Sequence, residues 1–95
     1  MAVYIVSYDL NKAGQDYSKL YETLKSFTSW CHPVDSTWLL YVPSNSANTN
    51  AQSIYNRIRP CIDSNDLILV MRVTSDYFGW LKKDSIDWLA KYINL

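Results

Sequence analysis

The sequence predicts an α+β fold in which strands and amphipathic helices alternate within a single domain, residues 1–95. Three observations support this prediction. Runs rich in β-branched and aromatic residues occur at 3–9 and 67–73, apolar residues recur at helical spacing over 17–28, and polar or proline-containing breaks separate these segments.

The first half of the chain predicts a strand, a helix and a hairpin. Residues 3–9 form the first strand, and residues 17–28 form an amphipathic helix with Asp16 as its N-cap. Pro33 places the next strand at a sheet edge, because proline cannot donate a hydrogen bond to a neighbouring strand. The hairpin consists of strands at 30–34 and 37–42, joined by a turn at Asp35-Ser36.

The second half predicts a helix, a strand and a terminal helix. A polar segment at 43–50 precedes a helix that begins near Ala51 and ends near Pro60. Residues 67–73 form a nearly continuous apolar strand, and Asp84 caps the last helix. The order strand, helix, strand, strand, helix, strand is the ferredoxin-like, or split βαβ, pattern, here with an extra C-terminal helix.

Composition and charge limit the classes of function. Nine basic and nine acidic residues give a net charge of zero, which argues against strong nonspecific nucleic-acid binding but allows a small basic patch. The two cysteines, Cys31 and Cys61, are too far apart for a metal-binding pair and are predicted to be reduced. We find no signal peptide and no apolar run of membrane length, so a cytoplasmic location is expected and no membrane partner.

Both faces of the two strongest strands are apolar, which predicts a second layer of cover. In 3–9 and in 67–73 the residues pointing to either side of the sheet are hydrophobic. Two helices on one face leave the other face open, and either the terminal helix or a second subunit could cover it. Four Trp and eight Tyr also exceed what a small core encloses, and these residues are enriched in interfaces. We therefore expect a homodimer.

Asp9 is the leading candidate for chemistry. It is a lone carboxylate at the tip of a buried strand, followed by a loop, where a rigid sheet can hold a metal ligand or a general base. An Asx hydrogen bond to its own turn is the structural alternative. His32 could act as a base or a ligand but has no partner spaced for either role, and Trp30, Trp38, Trp80 and Trp88 suit either base stacking or core packing.

Three short motifs resemble a known family, the small CRISPR-associated proteins of the Cas-two type. The chain looks closest to their stand-alone, SinR-like relatives, and the resemblance covers about residues 1–75. The motifs are Tyr8-Asp9-Leu10, Ser36-Thr37-Trp38 and Asp66-Leu67-Ile68-Leu69-Val70.

The resemblance implies a symmetric dimer in which the Asp9 carboxylates of two subunits hold magnesium or manganese. It implies either a metal-dependent endonuclease acting in CRISPR or phage defence, with Asp9 catalytic, or a structural bridge for an integrase. Lys12, Ser36 and Arg72 are the candidate nucleic-acid contacts.

Two departures from the family favour an alternative function. Only Lys12 follows the aspartate where the family has several basic residues, and Phe78-Gly79-Trp80-Leu81 with a helix replaces a further strand. The alternative is a non-catalytic dimeric protein-interaction module, an adaptor or an inhibitor. Small-molecule sensing between subunits is a third reading, which no glycine-rich fingerprint loop supports.

Overall fold

A computed structural model describes residues 2–10, 17–43 and 49–93. Its elements are β1 (Ala2–Asp9), α1 (Ser18–Lys25), β2 (Ser29–Val34), β3 (Thr37–Val42), α2 (Ala51–Ile58), a 3-10 turn (Arg59–Cys61), β4 (Leu67–Val73) and α3 (Lys83–Ile93).

The four strands form one antiparallel sheet in the order β2-β3-β1-β4. The two strongest apolar strands, β1 and β4, are neighbours, and β2 and β4 are the edges. The edge position predicted for β2 from Pro33 is confirmed. The turn between β2 and β3 is tied to the end of β1, because the backbone N–H of Tyr8 donates to the carbonyl of Ser36 (3.0 Å).

One face of the sheet carries the main core. Alternate β1 residues, Tyr4, Val6 and Tyr8, are buried on this face, as the period of two requires. They pack with Leu20 of α1 and Ile54 of α2, both almost fully buried. Burying one such side chain stabilises the fold by about 1.5–3 kcal/mol, so the two short helices are held by this apolar face.

The opposite face is covered only in part, by α3. Leu89 packs with Val3 of β1 and Leu39 of β3, and the indole N–H of Trp88 donates to the Ser29 hydroxyl (3.0 Å). The terminal helix therefore supplies much of the cover for which a second subunit was expected. Over β4 the same face stays open, as the exposures of Leu67 (63%), Leu69 (56%) and Met71 (51%) show.

Two predicted helix boundaries were wrong. The first helix ends at Lys25 and not at residue 28, because the N–H groups of Ser26 and Phe27 bond back to Thr23 and Leu24 in tighter turns. The last helix begins at Lys83, so Asp84 lies in its first turn and is not its cap. The predicted cap Asp16 lies outside the described residues, and Tyr17 occupies the N-cap position of α1. No described helix has the length and hydrophobicity needed to cross a bilayer.

Candidate functional site

Asp9 lies at the end of β1 with its carboxylate accessible to solvent. It is the last residue of the strand, opposite Leu67 of β4, on the sheet face that α3 partly covers. Its side chain makes no hydrogen bond or ion pair with any residue in 2–10, 17–43 or 49–93. The predicted strand-tip position is confirmed, and the carboxylate is accessible to a ligand from outside this chain.

The other candidate nucleic-acid contacts that the structure describes, Ser36 and Arg72, lie on different parts of the sheet. Ser36 lies at the same end of the sheet as Asp9, since its carbonyl bonds the N–H of the neighbouring Tyr8. Arg72 pairs with Tyr4, five residues from Asp9 along β1, or about 16 Å away, and on the opposite face. Arg72 therefore belongs to a different surface from Asp9, and Lys12 lies outside the described residues.

A complete metal site is absent from the described part of one chain. No group of three or more His, Cys, Asp or Glu side chains in it is arranged to hold a metal ion. Magnesium takes several oxygen ligands in near-octahedral geometry, usually one or two carboxylates with water and substrate. Within the described part of the chain, Asp9 supplies one such carboxylate at the end of β1.

Asp66, which opens the third motif, has a structural role. Its side chain is buried, and its carboxylate accepts hydrogen bonds from the N–H of Asp63 (2.8 Å) and from the hydroxyl of Tyr17 (3.1 Å). These bonds close the turn before β4 and connect it to the start of α1. Burial of a charged group is tolerated when it is hydrogen-bonded in this way.

The turn of the β2–β3 hairpin is held by a hydrogen-bond network that is buried at Trp38 and reaches the surface at His32. The indole N–H of Trp38 donates to the Tyr8 hydroxyl (3.0 Å), which donates to the Asp35 carbonyl (3.3 Å). His32 Nε2 also donates to that carbonyl (3.0 Å), so this nitrogen carries the proton. Burial raises the pKa of Tyr8 above its ordinary value of 10.0, so the phenol keeps its proton to a higher pH than an exposed tyrosine does.

An aromatic cavity lies beside this network on the helix side of the sheet. The cavity, about 330 Å³, is lined by Tyr21, Lys25, Trp30, His32 and Trp38, and we name it the Trp38 pocket. His32 and the two tryptophans stand out in the sequence, whereas Tyr21 and Lys25 fall within the helical pattern and carry no separate signal. Only the packing of α1 against β2 and β3 brings these five residues together.

A second cavity lies on the opposite face, beneath the segment that joins β4 to α3. It measures about 430 Å³ and is predominantly apolar, with Ile5, Leu39 and Leu89 among its walls. Phe78, on its rim, is fully exposed, and Trp80 nearby is almost fully exposed. Leu67, Leu69 and Met71 of β4 are also exposed, and we call these three side chains and the two rings the open apolar face.

Comparisons with known proteins relate the chain to a fold only. No family model matches the sequence, and no curated protein matches it. A crystal structure of the hypothetical protein TT1823 from Thermus thermophilus is similar, with a TM-score of 0.58 and 20% sequence identity, covering 84% of this chain and 93% of that one. This likeness shows a shared small α+β fold with a four-stranded antiparallel sheet.

Proposed function

We propose that this protein is a homodimeric, Cas-two-like binding module of the SinR-like kind, which engages a partner in CRISPR or phage defence. The open apolar face is the observation that carries the proposal. Apolar patches of this kind, with polar surroundings, are typical of interaction sites. The proposal also rests on the three motifs that resemble the family, and it places the protein in the cytoplasm, as expected from the sequence.

The strand order supports a ferredoxin-like assignment. Taken from the other edge, the sheet runs β4-β1-β3-β2. Each main helix then connects two parallel strands that are separated by one antiparallel strand, α1 between β1 and β2 and α2 between β3 and β4. This is the connectivity of a split βαβ unit, and α3 is the addition to it.

A second copy of the chain is the occupant that suits the open apolar face. Two-fold dimers are the commonest assemblies of soluble proteins and use one self-complementary patch. Two aromatic rings such as Phe78 and Trp80 contribute roughly 300–500 Å² of contact area. With the three exposed side chains of β4, this approaches the ~800 Å² per partner of a standard interface.

The experiment is molar mass by light scattering at micromolar concentration, for the wild type, Leu69→Asp and Arg72→Asp. Both substitutions put an acid on β4, but Leu69 and Arg72 lie on opposite faces of the sheet. We expect a dimer for the wild type and Arg72→Asp, and a monomer for Leu69→Asp, because a buried charge without a partner is costly. A monomeric wild type would contradict the dimer.

Metal-dependent nuclease activity is the second candidate, and the position of Asp9 favours it. Asp9 lies on the same sheet face as Leu69, opposite Leu67, the residue that begins the exposed stripe of β4. A two-fold axis near Leu67 would bring two Asp9 carboxylates together. Magnesium or manganese held there would supply an activated water and polarise a phosphoryl oxygen. Ser36, at the same end of the sheet, would be the candidate contact to the phosphate.

Cleavage assays with Asp9→Asn and Asp76→Asn separate this candidate from the binding module. Each variant loses one exposed carboxylate, and Asp76 lies in the segment after β4, away from the end of β1. If the dimer is a nuclease, manganese-dependent cleavage of RNA or DNA disappears only in Asp9→Asn. Cleavage that survives in Asp9→Asn, or none in the wild type, leaves the non-catalytic module as the function.

A further inference from the structure

We propose that the Trp38 pocket binds an unpaired nucleotide, with the base stacked on Trp30 and the phosphate held by Lys25. This inference goes beyond the dimeric module. The pocket lies on the helix side of the sheet and uses none of the residues of the open apolar face. The two surfaces can therefore be tested separately.

In this pocket, three aromatic rings that are partly accessible to solvent surround the buried ring of Trp38. Trp38 forms the floor and is 1% exposed, and His32 stacks on it with centroids 4.0 Å apart and planes 15° apart. Trp30 lies 5.3 Å from Trp38 and is 38% exposed, and Tyr21 lies 6.1 Å away and is 37% exposed. Three partly open rings thus converge on one cavity, whereas single exposed aromatics are common and need no explanation.

The charge around the pocket selects the class of ligand. Lys25 Nζ lies 5.5 Å from the centre of the Trp30 ring and makes no ion pair within the described part of the chain. None of the described residues that line the cavity carries a carboxylate. A cationic ligand, the usual occupant of an aromatic cage, would be repelled by Lys25. A flat ring that carries a negative group is favoured, and a nucleotide combines the two.

The pocket is already ordered before a ligand arrives. His32 is fixed by its hydrogen bond to the Asp35 carbonyl and by its stacking on Trp38. Trp38 is fixed by its bond to the Tyr8 hydroxyl. Binding therefore loses little side-chain entropy at these rings, which is the condition under which a small site gains affinity.

The volume also suits a small ligand. A cavity of about 330 Å³ lies at the lower end of ligand pockets. Stacking on an exposed indole accepts any base, because every base has a π-face. The site therefore binds one nucleotide with little sequence preference, either free or as part of a single strand.

Calorimetric titration with AMP and with adenosine tests the proposal on the full-length protein. We expect Trp30→Ala to weaken binding of both ligands by about tenfold or more, since each stacked base contributes strongly. Lys25→Gln should weaken binding of AMP about threefold or more and leave adenosine unchanged, because only AMP carries a phosphate. Tyr55→Ala removes an exposed ring that lies outside both the pocket and the open apolar face and should change neither affinity.

Three outcomes would overturn the proposal. The first is that the wild type binds neither AMP nor a single-stranded oligoadenylate. The second is that Trp30→Ala binds AMP and adenosine with the affinities of the wild type. The third is that Lys25→Gln weakens the binding of AMP and of adenosine equally. Lys25 is exposed on α1, so its substitution keeps the test valid even if Trp30→Ala fails to fold. Trp30→Phe should retain most of the affinity.

Two further binding measurements identify the source of the nucleotide and show whether binding depends on the dimer. An oligoadenylate that binds many times more tightly than AMP would identify single-stranded nucleic acid, and equal affinities would identify the free nucleotide. Leu69→Asp should bind AMP like the wild type, because its substitution lies on the other face of the sheet. If Leu69→Asp is monomeric and still binds AMP, both proposals are supported and the two surfaces are independent; if it is monomeric and no longer binds AMP, the pocket depends on the dimer and its independence is refuted.

Discussion

At the scale of single residues, Tyr8 connects the strand that ends in Asp9 to the β2–β3 hairpin. Its hydroxyl accepts from Trp38 and donates to Asp35, so one oxygen satisfies a buried indole N–H and a turn carbonyl. In the sequence Tyr8 is one aromatic residue of a strand with two apolar faces, and in the structure it is buried. Its hydrogen bonds form only because the β2–β3 hairpin packs beside β1.

Tyr8→Phe should lower the free energy of unfolding by about 1–3 kcal/mol, because it leaves the Trp38 indole N–H buried without a partner. Urea denaturation measures this. Tyr55→Phe is the control, because Tyr55 is exposed on α2 and should lose almost nothing. Equal losses in the two variants would show that the network does not stabilise the fold.

The raised pKa of Tyr8 also predicts a loss of stability at alkaline pH. Its pKa is raised by burial above the ordinary value of 10.0, so in this range the unfolded state binds fewer protons than the folded state. Stability is then fully present below pH 10 and falls as the pH rises through the pKa of the folded state. Urea midpoints measured across this range should fall less steeply for Tyr8→Phe than for the wild type.

At the scale of elements, the short helices depend on their ends and on the faces they bury. The α2 helix has eight residues and a capping box, in which Asn50 Oδ1 accepts from Ser53 N–H (2.8 Å) and Ser53 Oγ accepts from Asn50 N–H (2.9 Å). A helix this short is marginal in isolation. Its cap and its buried face must therefore act together.

Asn50→Ala should lower the free energy of unfolding by about 0.5–2 kcal/mol through loss of this cap. Asn56→Ala is the matched control, because Asn56 is exposed inside the same helix, where alanine is favoured. Thermal unfolding should give a lower midpoint for Asn50→Ala and an unchanged or higher one for Asn56→Ala. The reverse order would contradict the role of the cap.

The α3 helix should depend on one buried residue far more than on its surface charges. Leu89→Ala should lower the free energy of unfolding by about 2–5 kcal/mol, because Leu89 packs on Val3 and Leu39. Asp87→Ala removes the exposed ion pair with Lys83 and should leave the free energy of unfolding almost unchanged. Chemical denaturation of both variants measures these free energies of unfolding. Equal losses in the two variants would contradict the greater role of Leu89.

At the scale of the whole molecule, the two sheet faces differ in how well they are covered. On the helix side, α1 and α2 cover the main core and leave the Trp38 pocket open, while on the other face α3 leaves β4 exposed. If a second copy covers β4, folding and association are linked. The thermal midpoint should then rise with protein concentration.

This concentration dependence should be measurable by calorimetry over a wide range of concentrations. The wild type and Arg72→Asp should shift to a higher midpoint as concentration increases, and Leu69→Asp should not. Because the proposed contact is apolar, salt should change the shift little, since salt screens charge and not apolar contact. A midpoint independent of concentration in the wild type would contradict the dimer.

Local patterns predicted the elements better than their ends. The strands 37–42 and 67–73 match the structure because their bounds coincide with turn residues. Phe27 continues the helical period beyond Lys25, so the sequence overestimates α1, although Phe27 still packs against the core from the following turn. Apolar periodicity shows which residues are buried and does not show which hydrogen bond ends the helix.

The sequence by itself determined the element types, their order and the strand-tip position of Asp9, because these depend on neighbouring residues and on periods of two or 3.6. Tertiary structure decided that α3 covers part of the second face, that Arg72 lies far from Asp9, and that Lys25 meets Trp30. These depend on which elements pack together and in which register, so residues distant in the chain become neighbours only after folding.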